Sequence, residues 1–290
     1  MRPEARAAVL FLLPALLVLG IFFFLPVIAG FALSLTDFDL YAIADIHNVR
    51  FIALRNYAEV LRNPVFWTAL GNTLYFSLAG GPLTVATSLA AALLVNAKVA
   101  RYKAIFRTIY FAPVVTTLVA VAVVFRFLYH ADFGLINRAL MSIGLPRVDW
   151  LGDPRYAMPA IIIVAVWKNF GYNMIIFIAG LQQVPEELYE AARLDGAGAW
   201  RQFRHITLPM LGPTFLFVGV VTAIGYLQLF AEPYVMTRGG PLNKTLSAMM
   251  MMYEQGFRWW RMGYAAAIAF LVFLVIAAAT ALQMKLQERR

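Results

Sequence analysis

The sequence predicts an all-α membrane protein with six transmembrane helices, on three observations. Hydrophobic residues make up 62% of the 290 residues and charged residues 13%, where soluble domains hold about 45–50% and about 25%. Six uncharged or nearly uncharged segments, near residues 8–34, 68–96, 108–129, 157–181, 209–230 and 263–284, each supply the ~20 apolar residues that a helix needs to cross a bilayer. Lysine and arginine are denser in alternate loops, the pattern expected when basic residues stay in the cytoplasm. Residues 1–290 read as a single transmembrane domain with core spans near 68–284, without an internal repeat or a second domain.

The first segment follows Arg2 and Arg6, but its apolar run far exceeds the ~7–15 residues of a signal-peptide core, so it is expected to be retained as a span. Pro14 and Pro26 are candidate kinks in it, and Gly80, Gly81 and Pro82 a candidate break or bend in the second span. Short loops and termini carry Arg2 and Arg6, then Lys98, Arg101, Lys103 and Arg107, then Arg193, Arg201 and Arg204, then Lys285, Arg289 and Arg290. The remaining loops spread a similar number of basic residues over a longer sequence, so the first set is assigned to the cytoplasm with both termini. The outward loops at 36–66 and 130–156 are rich in turn formers and acidic residues; they read as capped interfacial helices or as a contact surface for an external partner.

One stretch is polar between apolar neighbours, the loop at 182–208. Pro185 suits the start of a helix, and Glu186 and Glu187 set negative charge at its positive end. Val184, Leu188, Ala191 and Ala192 share one face. Gly196 and Gly198 permit a sharp turn, after which Ala199, Phe203, Ile206 and Met210 repeat at helical spacing, with Arg201, Arg204 and His205 as a basic face. The unit reads helix, turn, helix. By periodicity alone it serves equally as an amphipathic segment lying on a membrane surface.

The order of residues is more specific than the periodicity. EAARLDGAGAWRQFRHITLP resembles the EAA loop of permease subunits from binding-protein-dependent ABC transporters. The similarity continues through ALRNYAEVLRNPVFWTALGNTLYFS, FRTIYFAPVV, WKNFGYNMIIFIAGLQQVPEELYEAA, YVMTRGGP and MGYAAAIAF, segments similar to the sugar-type branch and to its maltose and glycerol-phosphate first permeases. Arg238 and Ala231 depart from that pattern. The resemblance implies a type I importer permease bundle in a bacterial or archaeal cytoplasmic (inner) membrane. It further implies a second homologous permease forming a heterodimer, two ATPase subunits that bind ATP and Mg, and an extracytoplasmic solute-binding protein delivering a sugar. Glu190, Ala191, Ala192, Asp195 and Gly196 would then couple the chain to the ATPase.

The residues themselves exclude much else. Without cysteine there is no disulfide, thiolate metal site or cysteine nucleophile. None of the five lysines follows a glycine, so the phosphate-binding Gly-Lys loop is missing and any ATP must be hydrolysed by other chains. His47, His130 and His205 form no HExxH pair and no Ser-His-Asp arrangement. The chain reads as a transport subunit, not an enzyme, with no cofactor of its own. The net charge of +9 is explained by lysine and arginine retained in the cytoplasmic loops of a membrane protein, and no basic patch with interleaved aromatics points to nucleic acid.

Polar residues inside spans are costly and more often line an interior or a cavity than face lipid. Asn72, Tyr75, Asn169, Tyr172, Tyr226, Gln228 and Glu232 are the candidate substrate-pathway residues, with Asn173 beside them; amides and carboxylates suit sugar hydroxyls, and aromatic rings suit pyranose faces. For each, a helix-to-helix hydrogen bond is the plainer alternative. Lys168 either snorkels to an interface, pairs with Glu232 or faces the cavity, the last of which would suit an anionic solute. An ion-gradient-driven secondary transporter is the alternative class, but acidic residues are almost wholly confined to loops.

Overall fold

The computed structural model describes residues 3–97 and 102–288. Arg2, Lys98, Arg101, Arg289 and Arg290, and the side chain of Arg6, all part of the basic-loop assignment, lie outside the described residues. In chain order the helices are α1 (Pro3–Leu19), α2 (Leu25–Ser34), α3 (Leu40–Ala44), α4 (Arg55–Arg62), α5 (Pro64–Asn96), α6 (Lys103–Val115), α7 (Leu118–Leu128), α8 (Leu135–Ser142) and α9 (Ala157–Gln182). They continue as α10 (Glu186–Leu194), α11 (Ala199–Gln202), α12 (Leu208–Met210), α13 (Gly212–Leu227), α14 (Ala231–Met236), α15 (Ala248–Tyr253) and α16 (Met262–Glu288). Among the described residues five continuous or nearly continuous helical segments are long and apolar enough to cross a membrane, and the bent pair α6 and α7 makes a sixth if the two count as one span.

Two compact units arise from this order, residues 1–66 with 251–274 and residues 67–250 with 275–290. In the first unit, α1 passes into α2 through a π-helical turn at Gly20–Phe24. Pro26 follows within the next turn, where its ring removes one backbone bond and crowds the carbonyl four residues back; the wider turn accommodates both. A second π turn, Phe203–Thr207, precedes Pro209 in the same way. The end of α2 is closed by buried Asn56, whose amide donates to the Ser34 and Thr36 carbonyls at 2.9 and 2.8 Å. On the same unit Arg261 pairs with Glu59 at 2.6 Å and lies over the Tyr264 ring.

The second unit holds two buried clusters. One gathers Phe76, Val121, Tyr129, Ile161, Ala165, Tyr226 and Met236, and the other Val95, Met174, Phe177, Leu181, Leu211 and Val218. The outward loop at 130–156 is held by Asn137, which is fully buried: its amide donates to the Ala131 and Val148 carbonyls and its oxygen accepts from Val148 N and Trp150 Nε1.

The second and third spans differ in whether the helix is interrupted. The second span does not break at Gly80–Gly81–Pro82: α5 runs unbroken from Pro64 to Asn96, and the missing side chain at Gly80 instead makes room for the Tyr226 ring. The third span is not continuous over 108–129. It breaks at Thr116–Thr117, where α6 and α7 are bent by 95°. Thr116 closes α6 by donating to the Pro113 carbonyl at 2.6 Å, and the Thr117 hydroxyl accepts from Ala120 N to start α7. Two adjacent β-branched residues with short hydroxyls thus supply both a stop and a start.

Candidate functional site

Two places in the second unit gather the residues singled out above. The first is a half-enclosed cavity of about 420 Å³ bounded by both interrupted spans and the middle of α9. Val114 and Leu118 flank the α6–α7 break, and Gln228, Leu229 and Phe230 form the gap between α13 and α14. Five of the seven pathway candidates line it: Asn169, Tyr172, Tyr226, Gln228 and Glu232, together with Asn173.

Tyr226 and Asn173 are held by neighbouring helices. Tyr226 is buried, stacked on Phe76 with ring centroids 4.9 Å apart, and its hydroxyl meets Thr84 of α5. Asn173 donates from α9 to the Thr222 hydroxyl of α13 at 2.9 Å. Glu232 is 6% exposed in the first turn of α14. Lys168, 7% exposed, is not part of the lining: its Nζ donates to the Pro113 and Val114 carbonyls at 2.9 and 3.2 Å, so it neither snorkels nor presents its charge as a cavity wall. The cavity therefore offers amides, phenols and one carboxylate. Among the described residues no cluster of three His, Asp or Glu could hold a metal.

Asn72 and Tyr75 are not brought to this cavity. The Asn72 amide donates to the Asn243 and Leu246 carbonyls at 2.7 and 2.9 Å, holding the loop at 237–247, whose residues Arg238, Leu242 and Asn243 have positive φ. Tyr75 is half-exposed and outside the lining. The neighbour of Tyr75, Phe76, lines the cavity instead, as do Val221, Thr222 and Phe230, none of them singled out in the sequence. Thr222 alone carried a signal, a hydroxyl within an apolar span.

The second place is the polar loop. α10 starts at Glu186, one residue after Pro185, which stands at the N-cap. Its C-terminus is closed by two backbone bonds, Gly196 N to the Arg193 carbonyl and Ala197 N to the Ala192 carbonyl, with Gly196 at φ +73. That is the αL glycine closure of a helix end. Tyr189 and Thr207 join the two limbs through their hydroxyls at 2.9 Å. No residue of α10 is buried; Glu190 is exposed, with Arg193 at 3.9 Å as its ion-pair partner, and Leu194 and Trp200 are 90% and 70% exposed. Ala191 is exposed and Ala192 half-buried, beside exposed Asp195 and Gly196. The result is a braced helical hairpin whose charged and apolar surface is left open.

Residues 7–290 match the model of the family described as binding-protein-dependent transport system inner membrane component. The chain is 38% identical over 279 residues to a probable ABC transporter permease protein, YurN, of Bacillus subtilis, covering 95% of this chain and 94% of that one. It is 35% identical to the lactose transport system permease protein LacF of Rhizobium radiobacter, covering 97% and 94%. It is 34% identical to the arabinooligosaccharides transport system permease protein AraP of Bacillus subtilis, covering 98% and 89%. Its fold is similar to that of a chain in the crystal structure of a bacterial alginate ABC transporter in complex with an alginate pentasaccharide-bound periplasmic protein, with a TM-score of 0.84 at 23% identity over 99% of this chain and 95% of that one. Relatives of this kind are transport permeases rather than enzymes, and the chain, a multi-pass membrane protein, belongs to the family of binding-protein-dependent transport system inner membrane components.

Proposed function

We propose that this chain is one permease subunit of an ATP-driven importer for a sugar or oligosaccharide, working in a bacterial or archaeal inner membrane with both termini in the cytoplasm. A second, homologous permease completes the pathway. Two ATPase subunits bind ATP and Mg, one of them docking on the hairpin at 182–208, and an extracytoplasmic solute-binding protein delivers the solute. The observation that carries the reading is the hairpin itself: a braced helix with an open carboxylate at Glu190 and open apolar side chains at Leu194 and Trp200, in a chain whose relatives are permeases. Ala191 and Ala192 permit close backbone approach by the partner, and Asp195 and Gly196 end the helix where the chain must turn.

The solute path runs past the cavity. Its lining of Asn169, Tyr172, Asn173, Gln228 and Glu232 with the rings of Phe76 and Phe230 matches hydroxyl groups on one side and an apolar sugar face on the other. The ionic group of that lining is the Glu232 carboxylate, which accepts hydrogen bonds and favours a hydroxyl-rich solute. Glu232→Gln is expected to raise the half-saturating solute concentration about fivefold, because a charged acceptor is worth about 1 kcal/mol more than a neutral one, with normal assembly; an unchanged value would remove Glu232 from the path.

The proposal as a whole is tested by uptake in liposomes containing the chain, its partner permease and the ATPase, with a sugar-loaded binding protein outside. Accumulation that requires ATP inside and the binding protein outside is the expected result. Accumulation driven by an imposed proton or sodium gradient without ATP would replace it by the secondary-transporter class.

A further inference from the structure

The break in the third span leaves helix-end carbonyls to be satisfied: Pro113 accepts from the Thr116 hydroxyl at 2.6 Å, and a second side chain, Lys168, donates to both Pro113 and Val114. The last carbonyls of a helix have no partner in the next turn, and within a bilayer, where water is scarce, each unsatisfied group costs several kcal/mol. α6 ends in this way at Val115, in the middle of a span. Lysine at mid-membrane has the complementary problem, since its ammonium costs about 2.5–3.5 kcal/mol or more when unpartnered. Lys168 lies 11 residues from the start of α9 and 14 from its end, about 16 and 21 Å along the axis, too deep for its side chain to reach either interface.

Both needs meet at one contact. The Lys168 ammonium donates to the Pro113 and Val114 carbonyls at 2.9 and 3.2 Å, at the end of α6 where the helix dipole is negative. The contact is reinforced one turn along α9, where Gly171 lies against the Tyr110 carbonyl and the Phe111 backbone. α6 and α9 run antiparallel there, so 168 meets 113 and 114 while 171 meets 110 and 111. The residues flanking the break, Val114 and Leu118, are walls of the cavity.

We propose that Lys168 is a positioning residue, a clamp whose ammonium holds the α6–α7 break and thereby sets the shape of the cavity. Its link to solute passage rests on the permease function proposed above; the clamp itself rests on the contact.

The absence of cysteine allows a direct test with spin labels on Ile105→Cys and Phe127→Cys, both exposed and on opposite sides of the break. In the assembled transporter, in lipid nanodiscs with partner cysteines replaced, the backbone distance between them is about 21 Å with the bend and about 33 Å for a straight helix of 1.5 Å rise per residue. Lys168→Met is expected to move or broaden the distribution toward the longer value, Lys168→Arg to retain the native one, and uptake by the Met variant to show a half-saturating solute concentration at least fivefold higher. Should the Met variant fail to assemble, Lys168→Gln, which keeps a donor without the charge, is expected to give a partial shift. A native distribution in the uncharged variants, or a shifted distribution with unchanged half-saturation, would overturn the proposal. Failure of the native complex to take up any sugar would strike the proposed function and not the clamp, which the distance decides.

Discussion

Gly171→Ala is expected to destabilise the protein by about 1–3 kcal/mol or more, read as a clear fall in the melting temperature of the purified transporter. The added methyl group would fall on the Tyr110 carbonyl oxygen, far inside van der Waals contact, with the Tyr110 carbonyl carbon and Phe111 Cα close behind. These are backbone atoms, unable to yield as a flexible side chain would, so the cost lies at the upper end of that for overpacking. Forcing α9 away from α6 would also lengthen the Lys168 contacts. Gly71→Ala is the control: its methyl group would meet nothing within 4 Å, and alanine is the better helix former. An equal effect from the two substitutions would mean that α6 and α9 are not in backbone contact.

Gly196→Val is expected to lower uptake more than tenfold with little change in melting temperature, while Gly196→Asn retains most of it. At φ +73 a β-branched residue is a strong outlier, whereas asparagine tolerates this region. The valine would unseat the two backbone bonds that end α10 and change the angle between the limbs of the hairpin. Because no residue of α10 is fully buried, the fold loses little; the loss falls on whatever docks there. Equal uptake by the two variants would show that the angle of the hairpin does not matter.

The spans and the hairpin were legible in the sequence because their signals are local. Apolar runs of span length, a proline with two glutamates at a helix start, and a glycine at its end each act within a turn or two of chain. The break at Thr116–Thr117 was not legible, because its cause is shared with Lys168, about 50 residues later in the chain, and a pair of threonines in an apolar run otherwise fits a helix. Gly80–Gly81–Pro82 carried the opposite signal: a local breaker, overridden by packing of Tyr226 into the space of Gly80. The same limit applies to the cavity. Polarity within a span identified Asn169, Tyr226 and Glu232, but it also selected Asn72, whose amide holds a loop about 170 residues away. Polarity shows that a group needs a partner; only the fold shows whether that partner is a carbonyl, another helix or open space.

The central claim, that the hairpin transmits the work of an ATPase to the span bundle, is tested most directly by Glu190→Ala. Glu190 is exposed and pairs with Arg193 at 3.9 Å, an arrangement worth about 0–1 kcal/mol to folding, so assembly and melting temperature should be unchanged. If the carboxylate meets a basic group of the ATPase, its removal at a closed interface costs about 2 kcal/mol or more, which is more than tenfold in coupling. The measurement is ATP hydrolysis by the reconstituted transporter with and without a sugar-loaded binding protein. The account predicts stimulation in the native complex that is lost in Glu190→Ala at normal assembly; full stimulation in the variant would contradict it.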